Sequence, residues 1–69
     1  MNKLLAETIK QLREAKRLTR KDMMELTGLS SPIVNKIEEE NYTPSDLTIA
    51  KYAKALGVSY TDLLSLKGK

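Results

Sequence analysis

The chain lacks the side chains that most enzymes use for catalysis. Its 69 residues include no histidine and no cysteine, which removes the commonest general base, the commonest metal ligand and any thiolate nucleophile. Zinc hydrolysis, Ser–His catalysis and a disulfide framework are therefore excluded. The remaining serine, lysine and carboxylate side chains fall on short segments with no cleft expected between them. We expect no enzymatic activity, no cofactor and no metal, so the chemistry open to this chain is non-covalent binding.

Positive charge is concentrated towards the two ends of the sequence. The net charge is +3, with 30% charged residues, which mildly favours an anionic partner. Residues 1–21 carry seven basic and two acidic side chains, and residues 47–69 carry four and one. Residues 22–46 carry one lysine and six carboxylates. We expect a cytoplasmic protein without membrane association, since no apolar run could span a bilayer and the N-terminus lacks a signal-peptide core.

Helix start and stop signals lie close together near the middle of the chain. Thr19 and Asp22 are spaced for a capping box, in which each side chain bonds the other residue's backbone N–H. Gly28 ends this helix, because glycine adopts the left-handed conformation without steric cost. Ser30 caps a second helix, and Pro32 lies in its first turn, where a missing N–H is tolerated. This spacing predicts a helix-turn-helix at about residues 20–38, whose second helix suits the major groove of DNA.

Apolar periodicity predicts an all-α domain that spans residues 1–69. Five helices are expected, at residues 2–17, 20–27, 31–39, 46–56 and 60–66, with a polar tail at 67–69. Asn41 is expected to be left-handed in the loop before the fourth helix, and Ser59 and Asp62 to form a second capping box. The apolar side chains expected to meet inside the helix-turn-helix are Leu29, Met23, Leu26, Val34 and Ile37.

The ordered pattern resembles the lambda-repressor-like (Cro/C1-type, or XRE-family) helix-turn-helix domain over about four-fifths of the chain. The resemblance implies a compact five-helix fold and sequence-specific operator binding, usually as a symmetric dimer. The residues that carry it are Leu12-Arg13, Ala15-Lys16, Leu18-Thr19, Met23, Gly28-Leu29-Ser30, Val34, Ile37-Glu38, Pro44-Ser45, Ala53 to Ser59 and Asp62-Leu63-Leu64.

The resemblance also implies roles for individual residues on double-stranded DNA. Asn35 would bond an adenine edge in bidentate fashion, Lys36 would donate to guanine, and Ile33 would touch a thymine methyl. Arg13 and Glu38 would form an ion pair that orients the third helix. The full set is Ser31, Pro32, Ile33, Asn35 and Lys36 on base edges, and Arg20, Lys21 and Ser30 on phosphates.

Three features depart from the family pattern. Glu39 replaces a residue that is often basic or polar in the family, and Glu40 replaces a frequent glycine. Their carboxylates would repel phosphate. Pro32 and Ile33 leave few polar groups to read bases, and Met24 replaces a small residue, which would widen the contact between the two helices.

Two functions follow from this pattern. The leading one is a small transcriptional regulator, a phage Cro-type repressor whose homodimer uses Val58, Tyr60 and Leu64 as contacts. The alternative is a protein-interaction modulator, an anti-repressor or antitoxin that pairs with another repressor. Acidic Glu39 and Glu40 beside an apolar surface would then meet a basic, DNA-like face on that partner.

Overall fold

The computed structural model of the protein describes residues 2–69 and confirms the predicted all-α fold. The described residues form five helices and no strand. Ten buried side chains make one core, and they come from all five helices and from Ile37, which directly follows the third helix. Three helices end earlier than the sequence predicts, at Ala15, Lys36 and Leu64. The helices are α1 (Lys3–Ala15), α2 (Arg20–Thr27), α3 (Ser31–Lys36), α4 (Asp46–Leu56) and α5 (Tyr60–Leu64).

The turn between α1 and α2 is longer than predicted, because α1 ends at Ala15, and within this turn Arg17 adopts a left-handed conformation. Arg17 has φ of 56° and is the only non-glycine residue among 2–69 with positive φ, so the prediction of a left-handed Asn41 is wrong. A left-handed L-residue costs roughly 1–2 kcal/mol. Tertiary contacts offset this cost, because Leu18 packs against the core and its carbonyl accepts a 2.8 Å hydrogen bond from Arg13 Nη1.

The capping signals around α2 are confirmed, whereas the cap of α3 is only partly so. Thr19 Oγ1 accepts from Asp22 N at 3.1 Å, and the Asp22 carboxylate accepts from Thr19 N at 2.8 Å. The hydrogen bond that the Asp22 carboxylate accepts from Thr19 N lowers the pKa of Asp22. Gly28 is left-handed, with φ of 73°. Ser30 occupies the N-cap position with extended backbone, but its side chain makes no capping bond. Pro32 removes the N–H of one of the two positions that an N-cap oxygen can bond.

Similar signals begin and end the last two helices. Ser45 Oγ accepts from Thr48 N at 3.2 Å, and left-handed Gly57 ends α4. Ser59 Oγ accepts from Asp62 N at 3.4 Å. The predicted second capping box is therefore present in one direction, as a side-chain cap from Ser59.

Leu26 is the apolar side chain that the sequence placed wrongly. It is 56% exposed, whereas Met23, Val34 and Ile37 are buried as predicted. Met23 and Thr27 lie one turn apart on the core-facing side of α2, so the buried position belongs to Thr27. The Thr27 hydroxyl is satisfied there, because it donates to the carbonyl of Met23.

The exposed position of Leu26 predicts that Leu26→Gln changes the free energy of unfolding by less than about 0.5 kcal/mol. Thermal unfolding followed by circular dichroism would test this. In a domain of this size, a loss of about 1 kcal/mol in the free energy of unfolding lowers Tm by roughly 4–8 °C. A fall in Tm of that size would show that Leu26 is covered in solution.

Hydrogen bonds connect the predicted polar tail, residues 67–69, to residues near the start of the chain and of α4. Buried Asn2 donates through Nδ2 to the carbonyl of Tyr42 at 3.0 Å, and its Oδ1 accepts from Gly68 N at 2.6 Å. Lys67 Nζ lies 2.8 Å from a carboxylate oxygen of Asp46 at the start of α4. No helix among residues 2–69 has the length and apolarity needed to cross a bilayer.

Candidate nucleic-acid interface

The α2–turn–α3 unit is held by a small set of buried side chains. Met23 of α2 meets Val34 of α3 in the core, together with Ile37 just after α3. Met24, which we expected to widen the helix pair, lies half-buried against the same core. Leu29 lies in the turn and is half-buried, and its backbone N–H donates to Thr27 Oγ1 at 3.2 Å. These contacts leave the opposite side of α3 facing solvent.

The solvent-facing side of α3 contains most of the residues predicted to contact bases. Ser31, Pro32, Asn35 and Lys36 are exposed, and Ile33 is half-buried. Asn35 and Ser31 lie one turn apart, and Asn35 Nδ2 is 3.5 Å from Ser31 Oγ. The face therefore presents hydroxyl, carboxamide and ammonium groups along one short helix, which are the groups that bond base edges.

All three residues predicted to contact phosphates are exposed, but one of them, Arg20, is engaged by other side chains of the protein. Lys21 and Ser30 are exposed. The guanidinium of Arg20 spans from α2 to α3, with Nη1 3.3 Å from Asn35 Oδ1 and Nη2 3.4 Å from Glu38 Oε1. The sequence carried no signal for this contact, because it joins residues on two different helices.

Glu38 lies at the centre of a charged cluster that connects α1 with the exposed side of α3. Its carboxylate accepts from Arg13 Nε at 2.7 Å and from Arg13 Nη2 at 3.2 Å. The Glu38 side chain is 1% exposed and that of Arg13 is 12% exposed. The hydrogen bond to Glu38 raises the pKa of Arg13, so the guanidinium remains charged. This is the ion pair that the resemblance implied, and it locates the turn after α3 against α1.

Tyr52, on α4, is a buried residue with a polar group. Its side chain is fully buried, and its hydroxyl has no hydrogen-bond partner among residues 2–69. Burial raises the pKa of Tyr52, and the nearby charge of Glu38 raises it further. The phenol is therefore kept neutral beside the Arg13–Glu38 pair.

The predicted third helix, residues 31–39, included Glu38 and Glu39, but α3 ends at Lys36, so both residues lie in the turn that follows it. Glu39 and Glu40 are exposed. They line an open concavity of about 510 Å³ between the turn and the start of α1, with Glu7 and Lys3 on its other side. This surface is predominantly anionic and would repel a phosphate strand.

The three residues predicted as dimer contacts differ in their exposure. Val58 and Leu64 are half-buried and pack against the protein's own core. Tyr60, at the start of α5, is 38% exposed. Tyr60 is therefore the most exposed of the three residues.

Comparison with known proteins agrees with this geometry. The family model described as "Helix-turn-helix domain" matches residues 6–69. The chain is 31% identical over 65 residues to the "Uncharacterized HTH-type transcriptional regulator y4dJ" of Sinorhizobium fredii (strain NBRC 101917 / NGR234), a match that covers 94% of this chain and 84% of that protein. It is 35% identical over 63 residues to the "Uncharacterized HTH-type transcriptional regulator RghRB" of Bacillus subtilis (strain 168), covering 90% of this chain but only 45% of that protein. No solved structure matches the chain significantly. With its capped α2, left-handed glycine and exposed α3, the chain belongs to the helix-turn-helix domain family, in its XRE-like form.

Proposed function

We propose that the protein is a DNA-binding transcriptional regulator, a small Cro-type repressor that places α3 in the major groove of operator DNA. The observation that carries the proposal is the exposed polar face of α3, where Asn35 and Lys36 stand next to the basic start of α2. Both relatives named above are described as transcriptional regulators. In this proposal the chain is one DNA-binding unit and acts in the cytoplasm.

The charge distribution around α3 indicates that the DNA contact is small. A helix of six residues is about 9 Å long, so only its first turn and a half can enter the groove. Lys21 and Ser30 can reach phosphates at one end, whereas Glu39 and Glu40 at the other end repel them. We therefore expect specific binding that is strongest at low ionic strength and depends on few phosphate contacts.

A symmetric homodimer would double this small contact. Two copies joined through α5 would present two α3 helices to half-sites about 34 Å apart, which is one turn of B-DNA. Tyr60 is the most exposed of the three candidate contact residues, and Val58 and Leu64 are half-buried.

Band shifts with the DNA that adjoins the protein's own coding region test the proposal directly. A specific complex that weakens as salt rises is expected, because released counterions drive phosphate binding. The absence of any specific complex at low ionic strength would rule the proposal out.

Two lysine variants separate base reading from phosphate binding. Lys36→Ala should weaken binding to the preferred site by about 1–3 kcal/mol and relax the base preference. Lys21→Ala should weaken binding to all sequences alike and reduce the slope of log Kd against log salt by about one. Fluorescence anisotropy on preferred and scrambled sites, over a range of salt, measures both effects. Equal behaviour of the two variants would contradict the placement of Lys36 on a base edge.

The acidic concavity supports a second candidate, a modulator that binds another repressor. The carboxylates of Glu39 and Glu40 could meet the basic surface with which that repressor holds DNA. Co-expression with the product of a neighbouring repressor gene, followed by co-purification, would detect such a complex. Replacing both residues, Glu39→Lys with Glu40→Lys, should abolish it, and unchanged binding would count against this function.

A further inference from the structure

We propose that Arg20 is a positioning residue for base recognition, which holds the carboxamide oxygen of Asn35 and so determines what that side chain presents to DNA. The inference rests on the proposed DNA-binding function and assigns the specificity of one base position. It differs from the phosphate role that the family resemblance implied for Arg20.

The position of the Arg20 guanidinium is set by a buried anchor. Its Nη2 lies 3.4 Å from Glu38, whose carboxylate is 1% exposed and is held by Arg13 at 2.7 Å. Its Nη1 lies 3.3 Å from Asn35 Oδ1. Each contact is long for an N–H···O hydrogen bond. Two contacts from one planar group nevertheless define its orientation, and they connect the interior of the protein to the exposed side of α3.

The Arg20 guanidinium determines which atom of the Asn35 amide faces it. Arginine is only a donor, so the carboxamide must direct its oxygen, and not its NH₂ group, towards Arg20. The flipped amide would place N–H groups of both side chains against each other. The NH₂ group is therefore turned away from Arg20, towards Ser31 Oγ at 3.5 Å and the solvent.

This orientation changes the base that Asn35 is expected to read. Bidentate bonding to adenine needs the amide oxygen to accept from N6 and the NH₂ group to donate to N7. In this protein the oxygen is shared with Arg20. A side chain that mainly donates favours guanine, whose major-groove edge presents two acceptors, over adenine, which also presents a donor.

The test is a selection of bound sequences from a random DNA library, performed with the full chain. The base position facing Asn35 is first identified as the one whose preference disappears in Asn35→Ala. At that position we expect the wild-type chain to prefer guanine to adenine by roughly tenfold, within the range measured for single base contacts. Arg20→Ala should reduce this ratio to about one and leave the preferences at other positions unchanged.

A control variant distinguishes positioning from charge. Lys21→Ala removes a neighbouring exposed charge that makes none of these contacts, so it should lower the salt slope and keep the preference. Arg20 is 47% exposed, so its variants are expected to fold, which thermal unfolding would verify.

Three results would overturn the inference. One is an adenine preference at the Asn35 position of the wild-type chain. Another is an Arg20→Ala variant that loses affinity equally for all sequences, with a lower salt slope and an intact guanine preference, because Arg20 would then be a phosphate contact. Both leave the proposed function standing. If the wild-type chain selects no sequence, the proposed function and this inference fail together.

Discussion

Glu38→Ala is expected to lower the free energy of unfolding by about 3–5 kcal/mol. The Glu38 side chain is 1% exposed and accepts two hydrogen bonds from Arg13, whose side chain is only 12% exposed. Removing the carboxylate leaves the Arg13 guanidinium in a poorly hydrated position without a counter-charge. The loss reflects that uncompensated charge, not the net contribution of the ion pair.

A core of this size rarely supplies more than about 3–5 kcal/mol, so the Glu38→Ala protein should be largely unfolded at 37 °C. Urea unfolding followed by circular dichroism measures the change. Glu39→Ala is the matched control, since Glu39 is exposed and should change stability by less than about 0.5 kcal/mol.

A double variant separates the charge effect from the loss of packing. Arg13→Met with Glu38→Met removes both charges and retains much of the side-chain volume, so it should be more stable than Glu38→Ala. A Glu38→Ala protein with the Tm of the wild-type chain would show that the Arg13 guanidinium is well hydrated without its partner.

The protein is also expected to lose stability steeply above pH 10, through Tyr52. Burial raises the pKa of Tyr52, and the charge of Glu38 adds to the shift, while Arg13 and Arg20 oppose it. Below the ordinary tyrosine pKa of about 10, the phenol is neutral in both the folded and the unfolded chain. Above about pH 10 the unfolded chain releases the phenol proton, whereas the folded chain keeps it until the pH reaches the raised pKa of Tyr52 in the folded state. Unfolding is then favoured by about 1.4 kcal/mol per pH unit, or about 3 kcal/mol by pH 12.

Tyr52→Phe isolates this contribution, because it removes only the Tyr52 hydroxyl and leaves every other side chain in place. The difference in unfolding free energy between the two proteins should be constant up to about pH 10 and should then grow in favour of Tyr52→Phe. At pH 7 the variant should be neutral or up to about 1 kcal/mol more stable, because the buried hydroxyl has no partner within residues 2–69. Tyr60→Phe, at a more exposed position, is the control. Parallel pH profiles for wild type and Tyr52→Phe would contradict the prediction.

The candidate site was predictable from the sequence as a set of positions, but not as a set of contacts. The exposed residues of α3 follow from its caps and its apolar spacing. The contact of Arg20 with Asn35 does not, because neither side chain has a local reason to select the other. It depends on how α2 and α3 pack and on where Arg13 holds Glu38.

The sequence by itself determined the five helices, the capping box of Thr19 and Asp22, and the helix ends at Gly28 and Gly57. These features arise from backbone groups that must be satisfied within about four residues of a helix end, so neighbours in sequence specify them.

Only the tertiary structure decided that Thr27 is buried in place of Leu26, and that Asn2 bonds Gly68 across the ends of the chain. It also left the Tyr52 hydroxyl beside a buried ion pair. Which side chain fills a buried position, and which polar group finds a partner, depends on atoms that distant helices bring together.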